Sequence, residues 1–255
     1  MLRCILNALD YFGILNSEFD DLPDEDRGVQ QLSAMPNLID QVHESLVDAI
    51  AAGVLKPGER IRQEELAARL GVSRQPVSHA LQLLKRQGLV SEQGRRGLAI
   101  APVEPQRIAD LYEVRAVLDE LSARRAAKAV ADGLADISTL QEARRALESG
   151  QALTDEDGRG RWINADVAYH STLHRLSGNQ AVLDIISDQW PHFKRCMGAV
   201  LSAPEIRHRV WTEHAGILAA IEAGAVGEAG RLARRHTEAA GADLVNRLEI
   251  DSDAA

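Results

Sequence analysis

The stretch from Gly71 to Val90, GVSRQPVSHALQLLKRQGLV, restricts the fold more than any other part of this chain. Val77, Ala80, Leu81 and Leu84 recur at i, i+3, i+4 and i+7, the stripe of a helix with one face in a core. Ser73 stands where a helix N-cap accepts a bond from an early backbone N–H. Pro76 is tolerated because first-turn N–H groups have no intrahelical partner. Gly88 stops the helix. A second helix, Gln63–Leu70, ends immediately upstream with Leu66, Ala67 and Leu70 on its apolar side, and Gly71 closes it. The turn is therefore short, and the two helices must cross and share a core.

The flanks complete a small domain. Ile39, Val42, Leu46 and Ile50 give a helix from Leu38, ended near Gly53, and LKPGERI supplies a Pro-Gly turn and a short extended piece. Leu89–Glu92 and Leu98–Ala101 read as two strands joined by QGRRG, a hairpin with glycines at its bends. Three helices and a hairpin within about 65 residues predict a winged helix-turn-helix over 38–102; a generic helical packing unit with a hairpin is the alternative. The helix leaves Arg74, Gln75, Ser78, His79, Gln82 and Lys85 outside its apolar stripe, and the hairpin tip carries Arg95 and Arg96. These eight residues are the candidate DNA contacts, the tip arginines being free to approach phosphate or a minor groove.

The net charge of −9 argues at first against a nucleic-acid partner. The charge is unevenly spread, however. Residues 38–102 hold nine basic and seven acidic groups, whereas residues 1–37 hold two basic and seven acidic ones. A local basic face matters more for phosphate contact than the total does. Residues 1–37, with their acidic run from Glu18 to Asp26, read as an arm that is poorly ordered or loosely docked. No apolar run is long enough to span a membrane, no secretory signal pattern opens the chain, and Cys4 and Cys196 have no paired spacing. A cytoplasmic protein is expected.

At the first domain the sequence resembles the GntR-type transcriptional regulators, in which an "ELA..LGVSR.PV..AL..L...GLV" core precedes a Gly-rich wing. The resemblance covers about 38–102 and implies that Arg74 contacts phosphate or base at the start of a recognition helix. Ser78 and His79 stand where the family usually has arginine and glutamate. That departure implies an atypical operator or weaker binding.

After Pro102 and Pro105 the chain is helical throughout, with expected helices at 105–130, 136–149, 160–177, 179–202, 205–223 and 225–249. The first of these has Ile108, Leu111, Val114, Leu118 and Leu121 along one side. Short connections make an all-α antiparallel bundle over 103–250, so the expected fold is mainly α: a winged helix-turn-helix followed by that bundle. Asp166 and His170 lie one turn apart on one helix face, and His214 and His236 lie beside apolar stripes of two other helices. One carboxylate and three imidazoles suit a borderline divalent metal such as zinc or nickel. A buried histidine is also, more simply, a hydrogen-bonded core residue. His174, one turn beyond His170, could line the same cavity, with a polar helix face as the plainer account. His192 reads as pocket wall and His208 as surface.

This second domain resembles the FCD domain, the helical effector module of the FadR-type branch of the same family. The carrying motifs are DVAYH at 166–170, SGN at 177–179, the run Glu213-His214 to Gly224, and His236 after Arg234-Arg235. The resemblance spans about 105–249. It implies Asp166, His170, His214 and His236 as metal ligands and Arg115, in LYEVRAVLD, as a residue facing the effector. With His174 and His192 it completes an effector-binding set for a small carboxylate, clamped by metal and guanidinium together. A fatty acyl effector does not fit, because the metal would fill the cavity. The expected protein is a homodimeric, ligand-responsive regulator of a double-stranded DNA operator, a repressor by default, and not an enzyme. A metal-dependent hydrolase using the same four ligands, and a regulator for which the ion itself is the signal, are the alternatives.

Overall fold

In a computed structural model, residues 38–94, 97–201 and 203–253 are described. The expected arm 1–37 and the candidate DNA contacts Arg95 and Arg96 lie outside the described residues. Among the described residues three helices come first: α1 (Leu38–Ala51), α2 (Gln63–Leu70) and α3 (Arg74–Arg86). They pack with a sheet of three strands, β1 (Arg60–Ile61), β2 (Val90–Gln93) and β3 (Gly97–Ile100), in the order β1-β3-β2. Both pairings are antiparallel; Ala99 of β3 stands between Arg60 and Ser91. The short extended piece after the Pro-Gly turn is thus the third strand of the wing.

The stripe on α3 does what its spacing predicts. Val77, Ala80, Leu81 and Leu84 are buried with Val42, Leu46, Ile50 and Leu66 in one core. Gly71 ends α2 in the left-handed region, at φ 67°, where a side chain would be strained. Ser73 occupies the N-cap position of α3 with extended backbone, but its side chain makes no capping bond. The expected cap is therefore not formed there. It forms instead at α5, where Asp136 accepts from the Ser138 N–H at 3.1 Å.

Six helices follow: α4 (Pro105–Ala131), α5 (Ile137–Gln151), α6 (Arg159–Leu176), α7 (Gln180–Val200), α8 (Pro204–Glu222) and α9 (Val226–Asp253). Their ends agree with the sequence reading to within a few residues. The inward face of α4 agrees only in part: Ile108 is buried and Leu111 and Leu118 are half-buried, but the middle of the helix is turned the other way. Val114, Val117 and Leu121 are 55%, 50% and 40% exposed, while Arg115, Asp119 and Ser122 are buried beside Tyr112, Ala123, Ala126 and Ala127. Two physical demands explain the inversion. Alanines let α4 lie close along α9, where a Cβ on Gly241 would stand 2.8 Å from Tyr112 Cβ. The charged residues are inside because other buried polar groups meet them there.

Candidate metal centre and DNA-reading face

The reading face is simple. Arg74, Gln75, His79 and Gln82 are exposed along α3, and Ser78 and Lys85 are half-buried beside them. The two cations are not idle. Arg74 pairs with Glu64 of α2 at 3.0 Å, and Lys85 pairs with Glu92 of β2 at 2.5 Å. The Lys85 ammonium holds the Glu92 carboxyl below its ordinary range. Exposed pairs of this kind contribute little to stability, so a phosphate can replace either carboxylate at small cost.

Inside the bundle, α6, α8 and α9 bring Asp166, His170, His214 and His236 together, all buried. One nitrogen from each imidazole can be chosen so that all three lie within 4.8 Å of one another. His214 Nε2 is 3.2 Å from His236 Nε2 and 3.6 Å from Asp166 Oδ1, and His170 Nε2 is 3.8 Å from Asp166 Oδ2. Ligand atoms held at about 2.0–2.1 Å from a tetrahedral zinc stand about 3.3 Å apart. The cluster is close to that spacing. Among the described residues five buried side-chain atoms lack a hydrogen-bond partner, and three of them are Asp166 Oδ2, His170 Nε2 and His214 Nδ1. Buried polar atoms without partners are rare enough to require a reason, and an ion or water between Asp166 Oδ2 and His170 Nε2 supplies one for those two; His214 meets the cluster through Nε2, and its Nδ1 lies on the other side of the ring.

Burial holds His170 and His214 far below the ordinary histidine range, reinforced by Arg115 and the neighbouring imidazoles. Both are neutral and offer lone pairs. His236 is oriented by a carboxylate: Nδ1 donates to Glu213 Oε2 at 2.7 Å, which leaves Nε2 for the cluster. Two buried carboxylates then differ sharply. Burial pushes Asp166 up to about 6, against the pull of Arg115 and His236. Burial acts on Asp119 too, but Arg115, His174 and Thr237 outweigh it and hold the group down at about 2. Asp119 accepts from Arg115 Nε at 3.2 Å, His174 Nε2 at 2.6 Å and Thr237 Oγ1 at 2.7 Å. One carboxylate is saturated by its neighbours; the other has an oxygen to spare.

The three residues assigned to an effector separate. Arg115 lines the cavity beside Asp166, His170 and His236, with its guanidinium 4.9–5.5 Å from the rings of Phe193, Trp190 and Tyr112. His174 is committed to Asp119 and faces a smaller void. His192 does not line this cavity; it lies on a separate open cleft. It is held by the carbonyl of Gln87, at the end of α3, because its face of α7 turns toward the winged helix and away from the cluster. The cavity itself is about 30 Å³, room for an ion or a water. Sequence reasoning missed Asp119, Glu213, Thr237, Trp190 and Phe193. Only the Arg115–Asp119 pair carried a local signal, its i, i+4 spacing.

With the geometry in place, comparison with known proteins gives the following. Residues 38–100 match the model for bacterial regulatory proteins of the gntR family, and residues 110–239 match the FCD domain. An HTH-type transcriptional regulator from a ttuE-ttuC' intergenic region of Agrobacterium vitis is 31% identical over 136 residues, 53% of this chain and 78% of that protein. The Nta operon transcriptional regulator of Aminobacter aminovorans is 33% identical over 131 residues, 51% of this chain and 60% of that protein. A gluconate operon transcriptional repressor of Bacillus licheniformis is 25% identical, over 58% of this chain and 57% of that one. The structure of McbR/YncC from E. coli superposes with a TM-score of 0.70 at 22% identity, over 84% of this chain and all of that one, which is a likeness of fold.

Asp166 sets a pH signature for the ion-free protein. A carboxyl whose pKa is raised on folding binds its proton more tightly folded than unfolded. Its contribution to stability therefore falls as pH rises from about 4 to about 6, and stays low above. In chelator, Asp166→Asn should gain on the wild type across that window, by up to about 3 kcal/mol. Urea unfolding at pH 5 and pH 7 measures the difference; an equal gap at both would contradict the raised carboxyl.

Proposed function

The chain belongs to the gntR family of bacterial regulatory proteins and carries an FCD domain, and on that premise we propose that it is a metal-dependent, ligand-responsive repressor acting as a homodimer on an operator. The observation that carries the proposal is the coexistence of a polar reading face on α3 with two partnerless atoms, Asp166 Oδ2 and His170 Nε2, 3.8 Å apart in a buried Asp/His₃ cluster. Family membership sets the hydrolase alternative aside, since these relatives are transcriptional regulators.

For DNA binding, α3 enters a major groove with Arg74 at its leading end, and Gln75, Ser78, His79 and Gln82 face base edges. Lys85, Arg95 and Arg96 serve phosphates. Repression is the assigned sign, supported by the relative named as an operon repressor. Dimerisation is supported by the exposed row Val114, Val117 and Leu121 on α4, beside Glu120 and Arg124, which could pair with their counterparts on a second copy.

Asp166, His170, His214 and His236 would hold a divalent ion, zinc or nickel. Bound there, the ion would supply a Lewis-acidic position that a carboxylate effector can complete, with Arg115 as the second clamp. The ion would also return Asp166 to its ionised form. The cavity of about 30 Å³ favours one further reading, in which the ion alone is the signal. A small acid enters only if apolar lining residues such as Met197 and Ile206 move aside.

Three measurements test these assignments. Arg74→Ala should weaken binding to a DNA site selected from a random library by roughly 1–3 kcal/mol if Arg74 meets a base, and unchanged binding removes it from that role. Leu121→Asp should convert a dimer into a monomer in sedimentation, and a dimer that survives moves the interface elsewhere. Zinc at a hundredfold excess over its Kd should raise Tm by about 5–10 °C, and His214→Ala should abolish the rise. A further rise with citrate or a sugar acid on zinc-loaded protein supports an organic effector; operator affinity that follows zinc alone supports metal sensing.

A further inference from the structure

The recognition helix ends at Arg86 with Gln87 as its C-cap, and the last carbonyls of a helix have no partner within it. Gln87 is gripped twice. His43 of α1 lies 2.8 Å from its side-chain oxygen, and His192 of α7 lies 2.6 Å from its backbone carbonyl. A carbonyl only accepts, so His192 donates from Nε2. His192 is 4% exposed and 105 residues distant in sequence.

Its neighbours in α7 face the other way. Trp190 lies 5.1 Å and Phe193 4.9 Å from the Arg115 guanidinium, and the Trp190 ring is 6.4 Å from the rings of both His170 and His174. Pro191 sits between them inside the helix. Having no N–H, it leaves the Ser187 carbonyl without its helical bond, a place where helices bend. One turn later Lys194 meets Asp48 of α1 at 3.0 Å, and Arg195 donates to the carbonyls of Ala101 and Pro102 at 3.2 and 2.5 Å. The Lys194–Asp48 pair is partly exposed and screened, and the Arg195 bonds end on the segment after β3; of these contacts the part-buried His192 bond is the one that ends on α3.

We infer that the turn Trp190–Pro191–His192–Phe193 links the buried cluster to the DNA-reading helix, and that His192 is the positioning residue through which α3 feels the state of Arg115. A ligand or ion that draws on Arg115 shifts the two rings stacked against it. The shift travels through a helix segment softened by Pro191 and reaches α3 by one hydrogen bond to its terminal carbonyl. An open cleft of about 520 Å³ along this junction, lined by His43, Arg86, Gln87, Arg107 and His192 among others, gives α3 room to move. The link rests on the proposed function only in taking the surroundings of Arg115 as the seat of the signal.

Amide hydrogen exchange in the full chain tests it without knowledge of effector or operator. The reporters are the amides of Gln87, Gly88 and Leu89, bonded to Leu83, Lys85 and Leu84. His192→Ala should quicken their exchange about fivefold, the loss of one buried hydrogen bond, and His192→Gln, which keeps a donor, should restore much of it. Trp190→Ala, or Trp190→Phe if the alanine protein does not fold, should quicken the same amides in the wild type and add nothing in the His192→Ala background. Strict additivity of the two substitutions, or unchanged exchange in His192→Ala, overturns the link. Zinc should alter exchange over 166–174 in both backgrounds but over 84–89 only where His192 is present. Silence at 166–174 would count against the metal reading alone, because the Trp190–His192 cycle needs no ligand.

Discussion

The buried ion pair between Arg115 and Asp119 organises the bundle. Both side chains lie almost wholly inside, where an unpaired charge would cost several kcal/mol, so each must be satisfied by what surrounds it. Asp119 takes bonds from His174 of α6 and Thr237 of α9. Arg115 is flanked by Tyr112 of its own helix and by Trp190 and Phe193 of α7. One pair on α4 therefore fixes the register of three other helices. Breaking it by removing one member would leave the other charge buried without its closest counter-charge, with only His174 and Thr237 left to Asp119 or the weaker pull of Asp166 left to Arg115.

The same pair decides what Asp166 can be. Because Asp119 is saturated, it competes weakly for an added cation, and Asp166, with a bare oxygen and a carboxyl raised to about 6, is the group that gains most from one. The neutral imidazoles point the same way. A cluster that is strained by desolvation without an ion and relieved by one ties ion binding to stability. Glu213 adds direction by fixing the His236 ring. The division of labour between two buried carboxylates on neighbouring helices thus follows from their neighbours, not from residue type.

Much of this was legible in the residues. The spacing of Val77, Ala80, Leu81 and Leu84, with Gly71 and Gly88 at its ends, is a local signal that survives into the structure, although the Ser73 cap read from the same stretch does not form. The four cluster residues were legible from the one-turn spacing of Asp166 and His170, from His214 and His236 beside apolar stripes, and above all from the resemblance to the FCD domain. The inward face of α4 was not, because periodicity reads burial from apolarity and this face is buried while carrying Arg115, Asp119 and Ser122. Large apolar side chains at Val114 and Leu121 drew the stripe to the wrong side. The bonds of Asp119 to His174 and Thr237 join residues 55 and 118 apart, and that of His192 to Gln87 spans 105. No local pattern encodes such pairings.

The energies at the two ends of the molecule are matched in scale. At the DNA face, the pairs Arg74–Glu64 and Lys85–Glu92 are exposed, so exchanging carboxylate for phosphate changes little and the reading face is poised close to neutral. Allosteric coupling in regulators is typically about 1–3 kcal/mol. A single buried hydrogen bond contributes about 0.5–1.5 kcal/mol, which is of that order. A stiffer junction, built from several buried ion pairs, would hold α3 too firmly for a small ligand to move. A looser one would pass nothing on. Two imidazoles on Gln87, one of them carried by a proline-interrupted helix, lie between those limits.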